Sequence, residues 1–490
     1  MGSPSPQSEA QAIVSTSEID RSCRWAVLCL FAAAIGWLVL SLFFGVISCI
    51  KMHSPAFLAA CPYVGFGRIR PLFLDLALYG FASQAALGAA LWIFARLGRK
   101  TLVLPGLATL GGVVWNAGVT VGLIQLLFGG TTGLNWMEFP RQAAALLAGG
   151  FFLIAISAFY TLHERGIREL FVSQWFIVAG LLVFPWLLTA GYMLGVIDPV
   201  RGVMQAVVAA WFGNGIQYLW LTPMGIAVAY YLLPKLTGQP VYSNQAAALG
   251  FWVLIIFGSW SGVSQLAGGP FPRWITSVGV SSKFVLVLSA VCFGVNWFLT
   301  RRGAKPSSDK LVGASFVSFA VLAFLVASVL DAIQGIPSVA LRTGLTPFSS
   351  GVTLLWLFGF VTMVLLGSIY HITVRLLDVD WASSRLIKLH FGFSAIGVLL
   401  MAGAYLIGGV IFGSKLNDPT VLFSAAAKSL VPFLGMGTLG ASLLLLGQLA
   451  LTVNFMRTVI QGTDESRAAF CNWCCGCGTS SADKKARARA

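Results

Sequence analysis

Long apolar runs separated by short polar turns set the pattern of this chain. Twelve such runs begin near residues 24, 72, 102, 141, 171, 203, 245, 276, 311, 350, 385 and 428. Each holds about 20 residues or more, enough for a helix to cross the ~30 Å hydrocarbon layer of a bilayer. No water reaches backbone groups in lipid, so the runs are predicted to be helices that satisfy their own hydrogen bonds. The alternating apolar-out pattern of a membrane barrel is absent from the sequence. The expectation is an all-α integral membrane protein of twelve transmembrane helices. Residues 23–458 form its membrane domain, between a polar tail at 1–22 and a cysteine-rich, basic tail at 459–490.

Composition agrees. Of the 490 residues, 58% are hydrophobic and only 10% charged, and the mean hydropathy is +0.86, far outside the usage of soluble domains. A net charge of +15 would suit nucleic acid, but its distribution argues against that partner. With the N-terminus placed inside, Arg96, Arg99, Lys100, Arg165, Arg168, Lys235, Arg301 and Arg302 all fall on inner turns, while the outer turns hold fewer basic residues. This positive-inside asymmetry puts both termini in the cytoplasm. The first run follows a polar tail of about twenty residues, so no cleavable signal is required.

A few residues carry candidate chemistry by themselves. Lys283 lies deep in the eighth run, where a charge costs on the order of 3 kcal/mol. It needs a partner or a task, unless it snorkels to an interface. Asp331 ends the ninth run and reads as a helix cap, a partner for Arg342 or a proton-relay group. Asp75 is a further deep carboxylate, in the second run. His163 closes the fourth run at the membrane edge. In the tail, Cys471, Cys474, Cys475 and Cys477 could hold zinc, copper(I) or an iron–sulfur cluster. They have one C-x-x-C knuckle and no second pair at a distance, so the other reading is a reduced tail resting on anionic lipid through Lys484, Lys485, Arg487 and Arg489. No C-x-x-C-H is present to attach haem covalently. Cys23, Cys29, Cys49, Cys61 and Cys292 read as small apolar fillers.

The stretch from Trp211 to Trp274 resembles helices six and seven of the catalytic subunit (subunit I) of haem–copper oxidases of the cbb type, with nitric oxide reductases as close relatives. The resemblance extends from about Gly67 to Leu451. Its motifs include Gly67-Arg68-Ile69-Arg70-Pro71 before the second run and Met137-Glu138-Phe139-Pro140 before the fourth, where Glu138 would cap a helix. Pro272-Arg273-Trp274 enters the eighth run, Thr343–Gly351 opens the tenth, and Lys388-Leu389-His390-Phe391 lies in the eleventh. Trp211, Trp274, Lys388 and His390 match residues that the family uses structurally.

The resemblance implies haem b and copper, held by six imidazoles. At the matching positions this chain has other residues. Phe73, Pro347 and Ser349 stand where haem ligands are expected. Asn214, Ser264 and Gln265 stand where copper ligands are expected, and Gly258 where the family has a tyrosine. The whole chain has four histidines, fewer than six, so no cofactor is predicted in this chain. An emptied haem pocket would be severely destabilising, at roughly 24 cal/mol per Å³ of cavity. Phe73, Phe348 and Gln217 with Trp220 are the expected fillers, with a bound lipid or quinone as the outside alternative. Asp75 and Lys283 are expected to pair across the former cofactor space, with Gln84 or Asn214 nearby.

Three functions follow. The first is a redox-inert homologue, not catalytic by itself, serving as a structural or assembly subunit among other membrane subunits of a respiratory complex in a bacterial inner membrane. The second is a proton- or small-molecule-conducting subunit using Asp75, Lys283 and Asp331, although the sequence shows no convincing internal repeat. The third is a working terminal oxidase or nitric oxide reductase.

Overall fold

The structure, a computed structural model, describes residues 15–302 and 311–475, with side chains at 15–302 and 313–463. The described residues hold helices α1 (Thr16–His53), α2 (Phe66–Gly98), α3 (Pro105–Leu127), α4 (Arg141–His163), α5 (Val172–Ile197) and α6 (Val203–Thr237). These are followed by α7 (Asn244–Gly258), α8 (Arg273–Arg302), α9 (Leu311–Gln334), α10 (Pro347–Leu377), α11 (Ser384–Leu416) and α12 (Phe423–Cys475). There is no strand among them. Each of the twelve apolar runs becomes a helix, and eleven of these are long and apolar enough to cross a membrane. The exception is α7. Its 15 residues reach about 22 Å at 1.5 Å per residue, and a 3₁₀ turn at Ser261–Leu266 continues the chain toward α8. The tail cysteines Cys471, Cys474, Cys475 and Cys477 lie outside the residues whose side chains are described.

Three helices form the centre. α2, α6 and α10 are buried along nearly their whole length, while the other spans show one side to the surroundings. Two of them, α2 and α6, have the lowest mean hydropathy of the eleven spans, 1.4 and 1.3, and burial lets their polar groups be satisfied inside the protein, away from lipid. Each central helix also contains a π segment: Leu76–Ala82 in α2, Ile216–Leu221 in α6 and Leu355–Thr362 in α10. Such a wide turn frees backbone groups that must find other partners. In α2 the Gln84 amide does this, donating Nε2 to the Gly80 carbonyl at 2.8 Å. Gln84 is itself held by Asn116 of α3, whose Nδ2 donates to Oε1 at 2.9 Å.

The π segments also supply the ties between the central helices. Trp220 of α6 donates its indole N–H to Ser83 Oγ of α2 at 3.0 Å, and Trp356 of α10 donates to Thr222 Oγ1 of α6 at 2.9 Å. The third side, between α10 and α2, is closed by Phe358 and Phe73, whose rings stack 5.4 Å apart and 6° from parallel.

Outside this triangle the helices pack as hairpins, α3 with α4, α7 with α8 and α11 with α12. The hairpins share one polar device. Asn296 of α8 accepts from the Ser243 N–H through Oδ1 (2.9 Å) and donates Nδ2 to the Ser243 carbonyl (3.0 Å), while Thr300 accepts from the Tyr242 N–H. Asn454 and Thr458 of α12 hold Ser383 and Ala382 in the same way. In α4 the pair is Ser157 and Thr161, both bonded to the Val103 backbone. These helix starts leave N–H groups without intrahelical partners, and a polar pair four residues apart on the neighbouring helix satisfies the backbone just before them. The device, two polar residues one turn apart, thus recurs in three hairpins among the described residues.

Ser83→Ala and Thr222→Val each leave a buried indole N–H without an acceptor, a loss of about 1–3 kcal/mol. Each is expected to lower the melting temperature of the detergent-purified protein. Thr120→Val, which removes only an exposed bond within its own helix, is expected to leave it unchanged.

Candidate functional site at the meeting of the central helices

Phe73 lies on α2 at 2% exposure. Besides stacking on Phe358, it packs against Gly45 of α1, where an added Cβ would come 2.7 Å from the ring. That approach requires glycine. Pro347 is the first residue of α10, where its missing N–H costs nothing. Ser349, two residues further on, accepts a hydrogen bond from Gln334 Nε2 of α9. Phe348 is buried against Gly409 of α11. Trp220 is buried against Phe184 and Phe151, at centroid distances of 4.5 and 5.9 Å, and Gln217 is half-buried. Arg70, in the first turns of α2, donates to Ser350 Oγ of α10 at 3.0 Å.

Two of the three copper-matched positions come together. Asn214 is 3% exposed and spends both ends of its amide. Its Nδ2 donates to the Gly258 carbonyl at 2.5 Å, and its Oδ1 accepts from Ser261 Oγ at 2.6 Å. Ser264 Oγ donates to the Ser261 carbonyl at 2.7 Å. Gly262 packs so closely on Asn214 that a Cβ would sit 2.6 Å from the Asn214 Cβ. Gln265 is exposed and takes no part. Gly258 is the last residue of α7, so Asn214 satisfies a carbonyl that the helix end leaves open.

Iron and copper in this setting take imidazole nitrogens or comparably strong donors. The donors at these positions are an amide and hydroxyls already engaged in hydrogen bonds, beside a phenyl ring with no lone pair. They do not fit either metal. The four histidines lie elsewhere. His390 is buried and bonds Tyr370 Oη through Nδ1 at 2.8 Å, and His53 bonds Thr438 and Ser54. His371 packs edge-on to Trp92 and Tyr231, and His163 is exposed at the end of α4. Trp211 packs edge-on to Trp186 at 4.9 Å, Trp274 is exposed at the start of α8, and Lys388 is exposed on α11. No group of three or more His, Cys, Asp or Glu side chains suited to a metal ion occurs among the described residues.

The buried charges are arranged differently from the expectation. Lys283 pairs with Asp331, Nζ to Oδ1 at 2.7 Å, and not with Asp75. Asp331 therefore neither caps a helix nor meets Arg342. Its second oxygen, Oδ2, accepts from Tyr218 Oη at 2.8 Å. Lysine, aspartate and tyrosine form one polar knot between α8, α9 and α6, with the two charged side chains only 9% and 16% exposed. Tyr218 escaped the sequence reading. Its signal was a tyrosine inside a central helix, since a buried Tyr hydroxyl needs a partner.

Asp75 is fully buried, and neither of its oxygens has a hydrogen-bond partner among the described residues. The charged group in its electrostatic reach is the Glu138 carboxyl. Glu138 does not cap α4, whose N-cap is Pro140 without a side-chain bond. Instead it turns inward to 8% exposure. Burial pushes the Glu138 carboxyl up to about 7, with the Arg70 charge among the opposing influences.

With this geometry in place, likeness to known proteins can be set beside it. The family model described as Cytochrome C and Quinol oxidase polypeptide I matches residues 25–443. The cbb3-type cytochrome c oxidase subunit CcoN1 of Stutzerimonas stutzeri is 25% identical over 439 residues, covering 86% of this chain and 92% of that protein. Cytochrome c oxidase subunit 1 of Rhodobacter capsulatus is 24% identical over 421 residues, covering 81% and 77%. In fold, a solved haem–copper terminal oxidase dimer matches with a TM-score of 0.73 at 13% identity, over 89% of this chain and 84% of its own.

Breaking the Lys283–Asp331 pair from one side strands a buried charge, at a cost of about 3–5 kcal/mol. Lys283→Met and Asp331→Asn singly are expected to lower thermal stability sharply. The double variant is expected to recover most of the loss, which a double-mutant cycle of melting temperatures reads directly. Glu138 gives a pH signature. Its folded value of about 7 lies above the ordinary 4.5, so the folded state holds the proton more tightly than the unfolded one. The stability contributed by the Glu138 proton is then fully present below pH 4.5 and is lost as pH rises through about 7. Glu138→Gln is expected to flatten that slope in melting curves taken across this range.

Proposed function

The chain belongs to the Cytochrome C and Quinol oxidase polypeptide I family, and we propose that within it this chain is a redox-inert, subunit I-like member serving as a structural or assembly subunit of a respiratory membrane complex. The observation that carries this reading is the set of residues at the matched ligand positions. Phe73, Pro347, Ser349, Asn214, Ser264 and Gln265 include no imidazole, and packing or hydrogen bonds engage Phe73, Ser349, Asn214 and Ser264 in other ways. Loss of the ligands alongside a retained scaffold is what remains when only the helix-packing surfaces still matter. The relatives named above are oxidase subunits, which favours partner subunits for this chain as well. The same proposal places it in a bacterial inner membrane with both termini in the cytoplasm. The chain then passes through the membrane twelve times, with α7 and its 3₁₀ extension making the seventh passage.

A second reading, conduction of protons or a small solute, is favoured by one arrangement, the knot of Lys283, Asp331 and Tyr218. Charged residues at this depth are costly and commonly mark a pathway. Ion flux in liposomes that disappears with Lys283→Met would support it.

A visible spectrum tests the first reading. The chain purified free of other subunits is expected to show no reduced-minus-oxidised haem band. Any haem signal in its preparations is expected to leave with co-purifying subunits. A haem band that stays with the isolated polypeptide would overturn the proposal.

A further inference from the structure

One end of the bundle, where α1, α5 and α7 begin and α2 and α6 finish, holds two adjoining cavities. The first, about 340 Å³, is walled mainly by apolar side chains, Phe171 and Val172 at the start of α5 among them, with Arg96, Arg99 and Lys235 also lining it. The second, about 410 Å³, lies between the same three cations and the first turn of α1. Arg375 of α10 is within electrostatic reach of Lys235.

Four cations thus gather at one place, and among the described residues Asp20 is in electrostatic reach of two of them, Arg96 and Arg375. Arg96 has a partner: it meets Asp20 at 3.1 Å and lies over the Trp92 ring at 5.5 Å. Arg99, Lys235 and Arg375 form no ion pair among the described residues. Like charges held this close repel, unless an anion sits between them. The cavities lie at the helix ends, where a bilayer places its headgroups, and one of them continues between apolar walls. Basic pockets between transmembrane helices suit lipid headgroups, while a free inorganic anion would gain nothing from the apolar part.

We propose that these cavities bind an acidic phospholipid, its phosphate between Arg99 and Lys235 and the first part of an acyl chain against Phe171 and Val172. The inference rests on the spanning helices alone and is independent of whether the chain is redox-inert.

The test uses the full chain in neutral detergent, stripped of lipid, with titrations of phosphatidylglycerol, phosphatidylcholine and inorganic phosphate. Melting temperature and native mass spectrometry provide the readouts. Phosphatidylglycerol is expected to raise the melting temperature and to remain bound in the gas phase. Arg99→Gln and Lys235→Gln are each expected to weaken that binding about fivefold, and the double variant roughly 25-fold, at about 1 kcal/mol per cation. Both residues are exposed, so the melting temperature without lipid should not move. Arg302→Gln, at the same end but outside the cavities, should bind as the wild type does. Equal stabilisation by phosphatidylcholine would overturn the proposal. So would an equal effect of inorganic phosphate alone, or an equal loss in Arg302→Gln.

Discussion

The structure depends on how three buried helices are tied together where no water can help. Trp220 to Ser83 and Trp356 to Thr222 are single hydrogen bonds, each worth on the order of 0.6–2 kcal/mol within a membrane bundle. Their importance lies in position. Each donor sits in a π segment, and each acceptor immediately follows one. The wide turns thereby fix the register of α2, α6 and α10 against one another. On the remaining side Arg70 bonds Ser350 near the helix starts, and the stacked Phe73 and Phe358 close it further in. An aromatic pair adds about 0.5–1.5 kcal/mol beyond its buried area. Leaving the same volume empty would cost far more. Filling space is the larger effect.

The same logic explains the polar pocket around Asn214. A histidine replaced by an apolar residue there would leave the Gly258 carbonyl at the end of α7 without a donor, deep in the protein. Asparagine serves both roles at once, donating to that carbonyl and accepting from Ser261. Every polar atom added at such a site has to be matched. This network also accounts for the shortness of α7. The helix can stop early because a side chain from α6 takes over its terminal carbonyl, and the chain then turns through Ser261–Leu266 with Gly262 pressed against Asn214.

Much of this was legible in the sequence, because hydropathy and motif position are properties of single segments. The twelve runs, the phenylalanine at position 73 and the asparagine at position 214 needed no tertiary information. Partnerships were another matter. The deep lysine could have met either Asp75 or Asp331. Choosing between them required knowing which faces of α8 and α9 meet, and alternation of apolar residues does not reveal that when both faces are apolar. Glu138 stands beside Pro140 and so reads as a cap, yet the turn aims it inward toward Asp75. The length of α7 was hidden because Trp260 and Val263 keep the run apolar after the helix has ended.

What distinguishes this bundle is which ionisable groups it keeps. A charge buried in a membrane protein has to be matched within the bundle, reach the interface or serve a purpose. Lys283, Asp331 and Tyr218 match one another, so their presence requires nothing beyond structure. Asp75 and Glu138 have no such closure: two carboxyls lie in each other's field, and neither oxygen of Asp75 has a hydrogen-bond partner among the described residues. At the opposite end of α2, Arg99 and Lys235 likewise form no ion pair among the described residues, but they are exposed, where ligands can reach them. The imbalance has opposite sign at the two ends of one central helix. A scaffold retained for packing alone could replace either cluster with apolar residues at little cost. An acidic lipid bound as proposed would balance the basic end, which leaves the Asp75–Glu138 pair as the feature that a purely structural role explains least.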